Sequence, residues 1–181
     1  MEEINKPSHE TYDYNFIDKK VEKIIKIVSW YTIELSTDYI NKEISRAYNY
    51  AKNAHAWQFR LSWEAYINHP VEATIILLDL TPDIATIQAC LLHDVIEDTP
   101  FTYDDIKKEF WQDVADLCAW MEKVSKVRYK WEERTISSLR KMFVAMSEDL
   151  RVTFIKLSDR LHNMKTLKHH PKKDKRERIA L

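Results

Sequence analysis

Apolar residues recur at helical spacing along almost the whole chain, and no alternating strand pattern persists beyond a few residues. Ile17, Val21, Ile24, Ile25 and Val28 share one helix face and predict an amphipathic helix over Asp18–Ser29. A second helix is expected over Asp38–His55. Its cap is Ser36 or Thr37, whose hydroxyl can accept a backbone N–H left unpaired in the first turn. Residues 61–70 read as a loop or short irregular segment, and Val71–Leu80 as a helix apolar on one face. Thr81-Pro82-Asp83 opens the next helix, with Pro82 in its first turn. That helix is expected to run through Leu91 and Leu92 to about Glu97, where Thr99-Pro100 stops it. Thr102 and Asp105 have capping-box spacing at the head of a helix that reaches Phe110. Gln112–Val124, Glu132–Met146 and Leu150–Leu167 are further helices. The pattern describes an all-α chain of one domain, and 181 residues suffice to bury a real core.

Composition narrows the function classes. With 28 basic and 29 acidic residues the formal net charge is -1, so no overall field favours nucleic acid or a membrane as partner. Cys90 and Cys118 lie in apolar helical patterns without metal-like spacing and read as buried thiols in a reducing compartment. The charged N-terminus lacks the apolar core of a signal peptide, and no apolar stretch reaches membrane-spanning length, so a cytoplasmic location is expected. The tail from Lys168 to Arg178 is dense in basic residues. It reads as a solvated end, with a phosphate-attracting rim as the alternative. The chain has no glycine, where average usage of roughly 7% would give about 13, and it has six tryptophans.

The chemistry concentrates in His93-Asp94-Val95-Ile96-Glu97-Asp98. An adjacent His-Asp pair offers nitrogen and oxygen donors to a divalent ion. A distant His69 and a distant Asp159 would complete a mixed set suited to Mn²⁺, Fe²⁺ or Zn²⁺. On one helix, His93 and Glu97 would be i,i+4 neighbours, as would Asp94 and Asp98. Glu97 and Asp98 are candidates to handle an attacking water. Each residue also has a plain reading. The acidic cluster can be a solvated helix end, His69 before Pro70 a turn or capping residue, and Asp159 a surface aspartate paired with Lys156 or Arg160. Asn163 is i,i+4 from Asp159 and shares its face, while His162 is a candidate to support a ligand rather than to be one. No serine or cysteine nucleophile stands in a recognisable setting, which leaves metal and acid–base groups to carry a hydrolysis.

Four ordered segments carry a family resemblance. They are Gln58-Phe59-Arg60-Leu61-Ser62-Trp63-Glu64-Ala65-Tyr66-Ile67-Asn68-His69-Pro70, Leu91-Leu92-His93-Asp94-Val95-Ile96-Glu97-Asp98-Thr99, Arg140-Lys141-Met142, and Ile155-Lys156-Leu157-Ser158-Asp159-Arg160-Leu161-His162-Asn163-Met164. Together they resemble the HD-type hydrolase domain of the RelA/SpoT homologues, the stringent-response enzymes that make and degrade the alarmone (p)ppGpp. The similarity runs from about Tyr48 to the C-terminus. It implies an all-α HD-domain helical bundle holding one Mn²⁺ ion, or another divalent transition metal, on His69, His93, Asp94 and Asp159. Glu97 and Asp98 would activate or orient the water, Arg60 would pack on the guanine base, and Asn163 would line the nucleotide pocket. The implied reaction removes the 3′-pyrophosphate of ppGpp or pppGpp to give GDP or GTP and pyrophosphate. The alternatives are a catalytically inactive nucleotide-binding regulatory domain and another HD-type nucleotide phosphohydrolase. The implied organisation is an N-terminal helical segment, residues 1–40, packing on a hydrolase domain of residues 41–181 that is truncated at its C-terminus. In long family members that domain continues into synthetase and regulatory domains.

The chain departs from the family pattern at Leu61, where a lysine is common, and at Met121-Glu122-Lys123-Val124, where the family has Val-Thr-Lys-Leu. Trp57, Trp63, Trp111 and Trp120 stand where the resemblance places glycine. Some bacteria read UGA as glycine. Reading such codons as tryptophan would account for both the missing glycines and the extra tryptophans. These four sites are therefore expected to be turns or element ends, where glycine supplies a positive φ.

Overall fold

The computed structural model describes residues 12–125 and 149–167. Within them the chain forms α1 (Asn15–Tyr31), α2 (Thr37–Ala54), α3 (Asn68–Leu77), a 3₁₀ turn over Leu78–Leu80, α4 (Ile84–Leu92), α5 (Val95–Asp98), α6 (Tyr103–Glu109), α7 (Gln112–Ser125) and α8 (Leu150–Lys165). Among the described residues no strand forms. An isolated antiparallel bridge joins Phe59 and Ala65. The expected helix over Glu132–Met146, the Arg140-Lys141-Met142 motif, Trp131 and the basic tail lie outside the described residues.

The amphipathic reading of α1 holds, with Ile17, Val21, Ile24 and Val28 all buried. Ser36 caps α2 by accepting the Tyr39 N–H, and Thr102 and Asp105 form the complete reciprocal capping box of α6. Helix α3 packs against α8, α4 and α1, while α4 packs against α2, α3 and α7. Being covered on every side, α4 buries Ile87, Ala89, Cys90, Leu91 and Leu92 completely. A helix apolar all round is the sequence form of such a central position. Each of its large side chains contributes about 1.5–3 kcal/mol of burial. Cys90 and Cys118 are free and buried, and burial pushes the Cys90 thiol up to about 12, so it stays protonated and unreactive.

The structure corrects three local expectations, and the first two bear on the site. First, the helix through Leu92 does not continue to Glu97. It stops at Leu92, turns through His93 and Asp94, and restarts as the single turn α5. Adjacent residues of an unbroken helix point about 100° apart. At the break both residues keep right-handed backbone, and their side chains meet, His93 Nε2 lying 3.1 Å from Asp94 Oδ1. Second, Asn68, His69 and Pro70 are the first residues of α3 rather than the end of a loop. Pro70 is tolerated there because a first-turn N–H has no partner within the helix. Third, α4 is capped by Asp83, whose carboxylate accepts the Thr86 N–H at 2.7 Å, and Pro82 lies before the cap. Thr81, just upstream, has a left-handed backbone (φ 46°).

Of the four tryptophans expected at glycine-type positions, Trp63 has a left-handed backbone (φ 64°) and Trp57, Trp111 and Trp120 do not. Trp57 and Trp111 are largely exposed, at 79% and 69%. Trp120 lies inside α7 with its ring partly buried against the core. The Trp63 geometry has a local cause. Its N–H donates to the Arg60 carbonyl and the Arg60 N–H to the Glu64 carbonyl, both at 2.9 Å. This is a three-residue hairpin loop whose last residue must be left-handed.

A candidate metal centre at the floor of a cleft

Three helical regions bring the predicted ligand residues together. His69 comes from the first turn of α3, His93 and Asp94 from the break between α4 and α5, and Asp159 from the middle of α8. His69 Nε2 lies 3.2 Å from Asp159 Oδ1 and 3.6 Å from Asp94 Oδ2. His93 Nε2 lies 3.1 Å from Asp94 Oδ1 and 3.9 Å from Asp159 Oδ1. Donor atoms of His69, His93 and Asp159 all fall within 4.8 Å of one another. Asp94 spans the two imidazoles, one carboxylate oxygen toward each. The surface reading of Asp159 is set aside: it is buried, although it does pair with Lys156 at 3.0 Å through its other oxygen. Packing of α8 on α3 turns this face inward.

The site's protonation follows from burial set against charge. Burial alone would push His93 down, but the Asp94 and Asp159 carboxylates outweigh it and hold the imidazole up at about 9. Burial would raise Asp94 and Asp159. For Asp94 the His93 charge, and for Asp159 the His69 hydrogen bond together with the His93 charge, bring each well below the usual carboxylate range. His69 is pushed down, chiefly by burial. A positive charge at the centre of this group is therefore favoured.

The residues fit a divalent ion. The His93 Nδ1–H donates to the Cys90 carbonyl at 2.7 Å, so in the neutral ring, the form that binds an ion, the Nε2 lone pair lies on the side of the carboxylates. That Nε2 is fully buried and faces the Asp94 carboxylate 3.1 Å away without a well-aligned hydrogen bond to it. Coordination to an ion between the imidazole and the carboxylates would give this nitrogen a well-directed partner. Two imidazole nitrogens and two carboxylates suit a borderline transition metal.

Around this group opens a cleft of about 750 Å³, with His69, Asp94 and Asp159 lining its floor. Glu97 and Asp98 line it from α5, and Arg60, Leu61 and Trp63 from the hairpin before α3. Lys156, Asn163 and Thr166 line it from the α8 side. Asn163 donates to Asp159 Oδ1 at 2.6 Å and accepts from Arg60 at 3.1 Å. Arg60 also donates to Thr166 Oγ1 at 3.3 Å, so its guanidinium is fixed against α8 across the cleft.

Several residues beyond the predicted set take part. The Tyr66 hydroxyl lies 2.8 Å from Asp94 Oδ2 and 2.9 Å from Asp98 Oδ2, joining a candidate ligand residue to a candidate water-handling one. Burial and those two carboxylates push its phenol pKa strongly upward, so the proton stays on the oxygen. Its ring stacks on His55. The His55 Nδ1–H donates to Gln58 Oε1, and Gln58 Nε2 donates to the Asp98 carbonyl at the end of α5. His162 lies with its Nδ1 2.6 Å from His69 Nδ1. The spacing of Tyr66 three residues before His69 was the signal available in the sequence. It shows nothing without the α3 start that brings both to one side.

The HD domain family model matches residues 47–181. The bifunctional (p)ppGpp synthase/hydrolase SpoT of Escherichia coli K12 is 46% identical over 140 residues, 77% of this chain and 20% of that protein. The guanosine-3′,5′-bis(diphosphate) 3′-pyrophosphohydrolase of Aquifex aeolicus is 45% identical over 139 residues, again 77% of this chain and 20% of the relative. A GTP pyrophosphokinase of Streptomyces coelicolor is 39% identical over 160 residues, 88% of this chain and 18% of its own length. This chain thus spans about a fifth of the curated relatives it matches. Among solved structures, a metazoan SpoT orthologue described as hydrolysing ppGpp superposes with a TM-score of 0.60 at 26% identity, covering 75% of this chain and 78% of that one. The resemblance to RelA/SpoT homologues and the all-α HD fold expected from the motifs are borne out.

Proposed function

This chain belongs to the HD domain family, and we propose that it removes the 3′-pyrophosphate of ppGpp or pppGpp in a Mn²⁺-dependent hydrolysis, giving GDP or GTP and pyrophosphate. The observation that carries this reading is the convergence of His69, His93, Asp94 and Asp159 on one buried point at the floor of a cleft, with Glu97 and Asp98 at its side. The activities for which the relatives are named supply the substrate class.

His69, His93, Asp94 and Asp159 would hold the ion, which when bound acidifies a water and draws charge from a phosphoryl oxygen. Glu97 and Asp98 would orient the attacking water and take up its proton. Tyr66 holds the Asp98 carboxylate against Asp94, so the proton acceptor keeps its position beside the site. The water oxygen would bond to the phosphorus attached to the 3′ oxygen as that P–O bond breaks, the 3′ oxygen would take a proton, and pyrophosphate would leave. Arg60 presents a planar cation to the guanine base. Because Asn163 and Thr166 already fix it, little side-chain freedom remains to be lost on binding. Lys156 adds positive charge on the α8 side for a polyanionic substrate. The setting for this activity is the cytoplasm.

The test is turnover of ppGpp by chelator-treated protein with and without added Mn²⁺, with products identified by chromatography. GDP and pyrophosphate should form only with the ion. Turnover unaffected by chelation would refute the metal dependence. A second reading, an inactive nucleotide-binding domain, draws support from relatives named GTP pyrophosphokinase. It requires nucleotide binding with no product under any divalent ion.

A further inference from the structure

We propose that His162 is a positioning residue of the metal centre: its imidazole accepts the Nδ1–H of His69 and thereby holds His69 in the tautomer and orientation that present Nε2 to a divalent ion. This rests on reading the site as a metal centre, and not on the identity of the substrate.

The two rings meet Nδ1 to Nδ1 at 2.6 Å, both buried, with centroids 4.9 Å apart and planes tilted by 31°. Two nitrogens at that separation share one proton. Two N–H groups would collide, and two lone pairs would repel. The other nitrogen of His69, Nε2, faces Asp159 and Asp94. To offer a lone pair there, neutral His69 must carry its proton on Nδ1. His162 Nδ1 must then be the acceptor, with its own proton on Nε2.

His93 meets the same requirement differently. Its Nδ1–H goes to the backbone carbonyl of Cys90, three residues back. For His69 the carbonyl three residues back belongs to Tyr66, and it accepts the His69 backbone N–H at 2.9 Å instead. A side chain from α8 therefore supplies the acceptor. That acceptor is uncharged. A carboxylate in its place would add a third negative group beside Asp94 and Asp159, whereas imidazole fixes the ring without doing so. His162 also lies on the helix that carries Asp159, so the packing of α8 sets a ligand and the support of another ligand at once.

The experiment is Mn²⁺ titration calorimetry of chelator-treated protein. His162→Phe keeps an aromatic ring but removes the acceptor, and the ion should bind about 10–100-fold more weakly, the usual effect of losing such an outer partner. His162→Gln restores a side-chain carbonyl and should recover most of that loss. Melting temperatures in chelator should stay near that of the unsubstituted protein. Full Mn²⁺ affinity in a folded His162→Phe variant would overturn the proposal, as would equal losses in the Phe and Gln variants. Should His162→Phe not fold, nitrogen-15 NMR of the unsubstituted, ion-loaded protein, with diamagnetic Zn²⁺ as the ion, decides. A proton on His69 Nδ1 supports the assignment, and a proton on Nε2 overturns it. An unsubstituted protein that binds no divalent ion removes the metal reading and this proposal together. Failure to hydrolyse ppGpp, with Mn²⁺ still bound, counts only against the proposed substrate.

Discussion

Trp63 offers a test in which backbone conformation can be separated from loss of a large side chain. Its φ is 64°, and it closes the three-residue loop between Arg60 and Glu64. Consider Trp63→Gly beside Trp63→Ala. Both remove the ring, which is 42% exposed, so that loss is common to the two. What differs is the backbone. An L-residue with a Cβ in the left-handed region bears about 1–2 kcal/mol of strain that glycine does not. Glycine gives back roughly 0.5–1 kcal/mol because its unfolded chain is freer. The glycine variant should therefore be the more stable by about 0.5–1 kcal/mol. Trp120 is the control, since it lies inside α7 with its ring under the Lys123 ammonium. There Trp120→Gly should be the less stable of the pair by about 0.8–1 kcal/mol, the ordinary helix-interior difference. Urea unfolding resolves these values, and each 1 kcal/mol should move the melting temperature by about 2–4 °C at this size. The same order of stability at both positions would refute the argument. The gene tests the related expectation about decoding: a UGG codon at position 63 ends it, and a UGA codon read by a glycine-charged tRNA in the source establishes it.

Glu97→Gln and Asp98→Asn should each keep Mn²⁺ affinity while lowering kcat by about 10²–10⁴-fold; parallel loss of ion and activity would show that these residues are ligands. Tyr66→Phe removes a hydroxyl shared between two carboxylates, and hydrogen bonds to charged groups are worth about 1.5–3 kcal/mol. Its kcat should fall by more than ten-fold with KM little changed, and a KM-only effect would contradict the positioning role. Leu61→Lys places a cation on the cleft wall and should lower KM for ppGpp at low salt with little change in kcat; an unchanged KM would show that Leu61 does not face the nucleotide. The last prediction concerns pH: without an ion, His93 sits at about 9 against about 6.5 when unfolded. A raised folded value stabilises fully below about 6.5 and is lost as pH climbs toward 9. The ion-free protein should lose stability across that window while Mn²⁺ affinity rises across it, and flat melting and titration profiles would contradict the assignment.

Short-range features were legible in the chain because their causes lie within one or two helical turns. The α1 face of Ile17, Val21, Ile24 and Val28, the Thr102–Asp105 box and the Ser36 cap depend on neighbours no more than four residues away at each step. The candidate ligand residues were readable for a related reason: His-Asp, Glu-Asp and the Asp159–Asn163 pair are local groupings of chemical types. Their convergence was not local. His69, His93 and Asp159 meet because α3 packs at once on α4 and α8, and no periodicity within one helix reports that packing. The same holds for the break after Leu92, where the His93 ring bonds the Cys90 carbonyl and both His93 and Asp94 turn inward. Helical spacing alone could only continue the helix. Tyr66 between two carboxylates, Arg60 held by Asn163, and His162 against His69 join residues 28 to 103 positions apart. The chain specified which groups were available, and only the tertiary packing, by burying them beside one another at low dielectric, decided which of them share a proton, a charge or an ion.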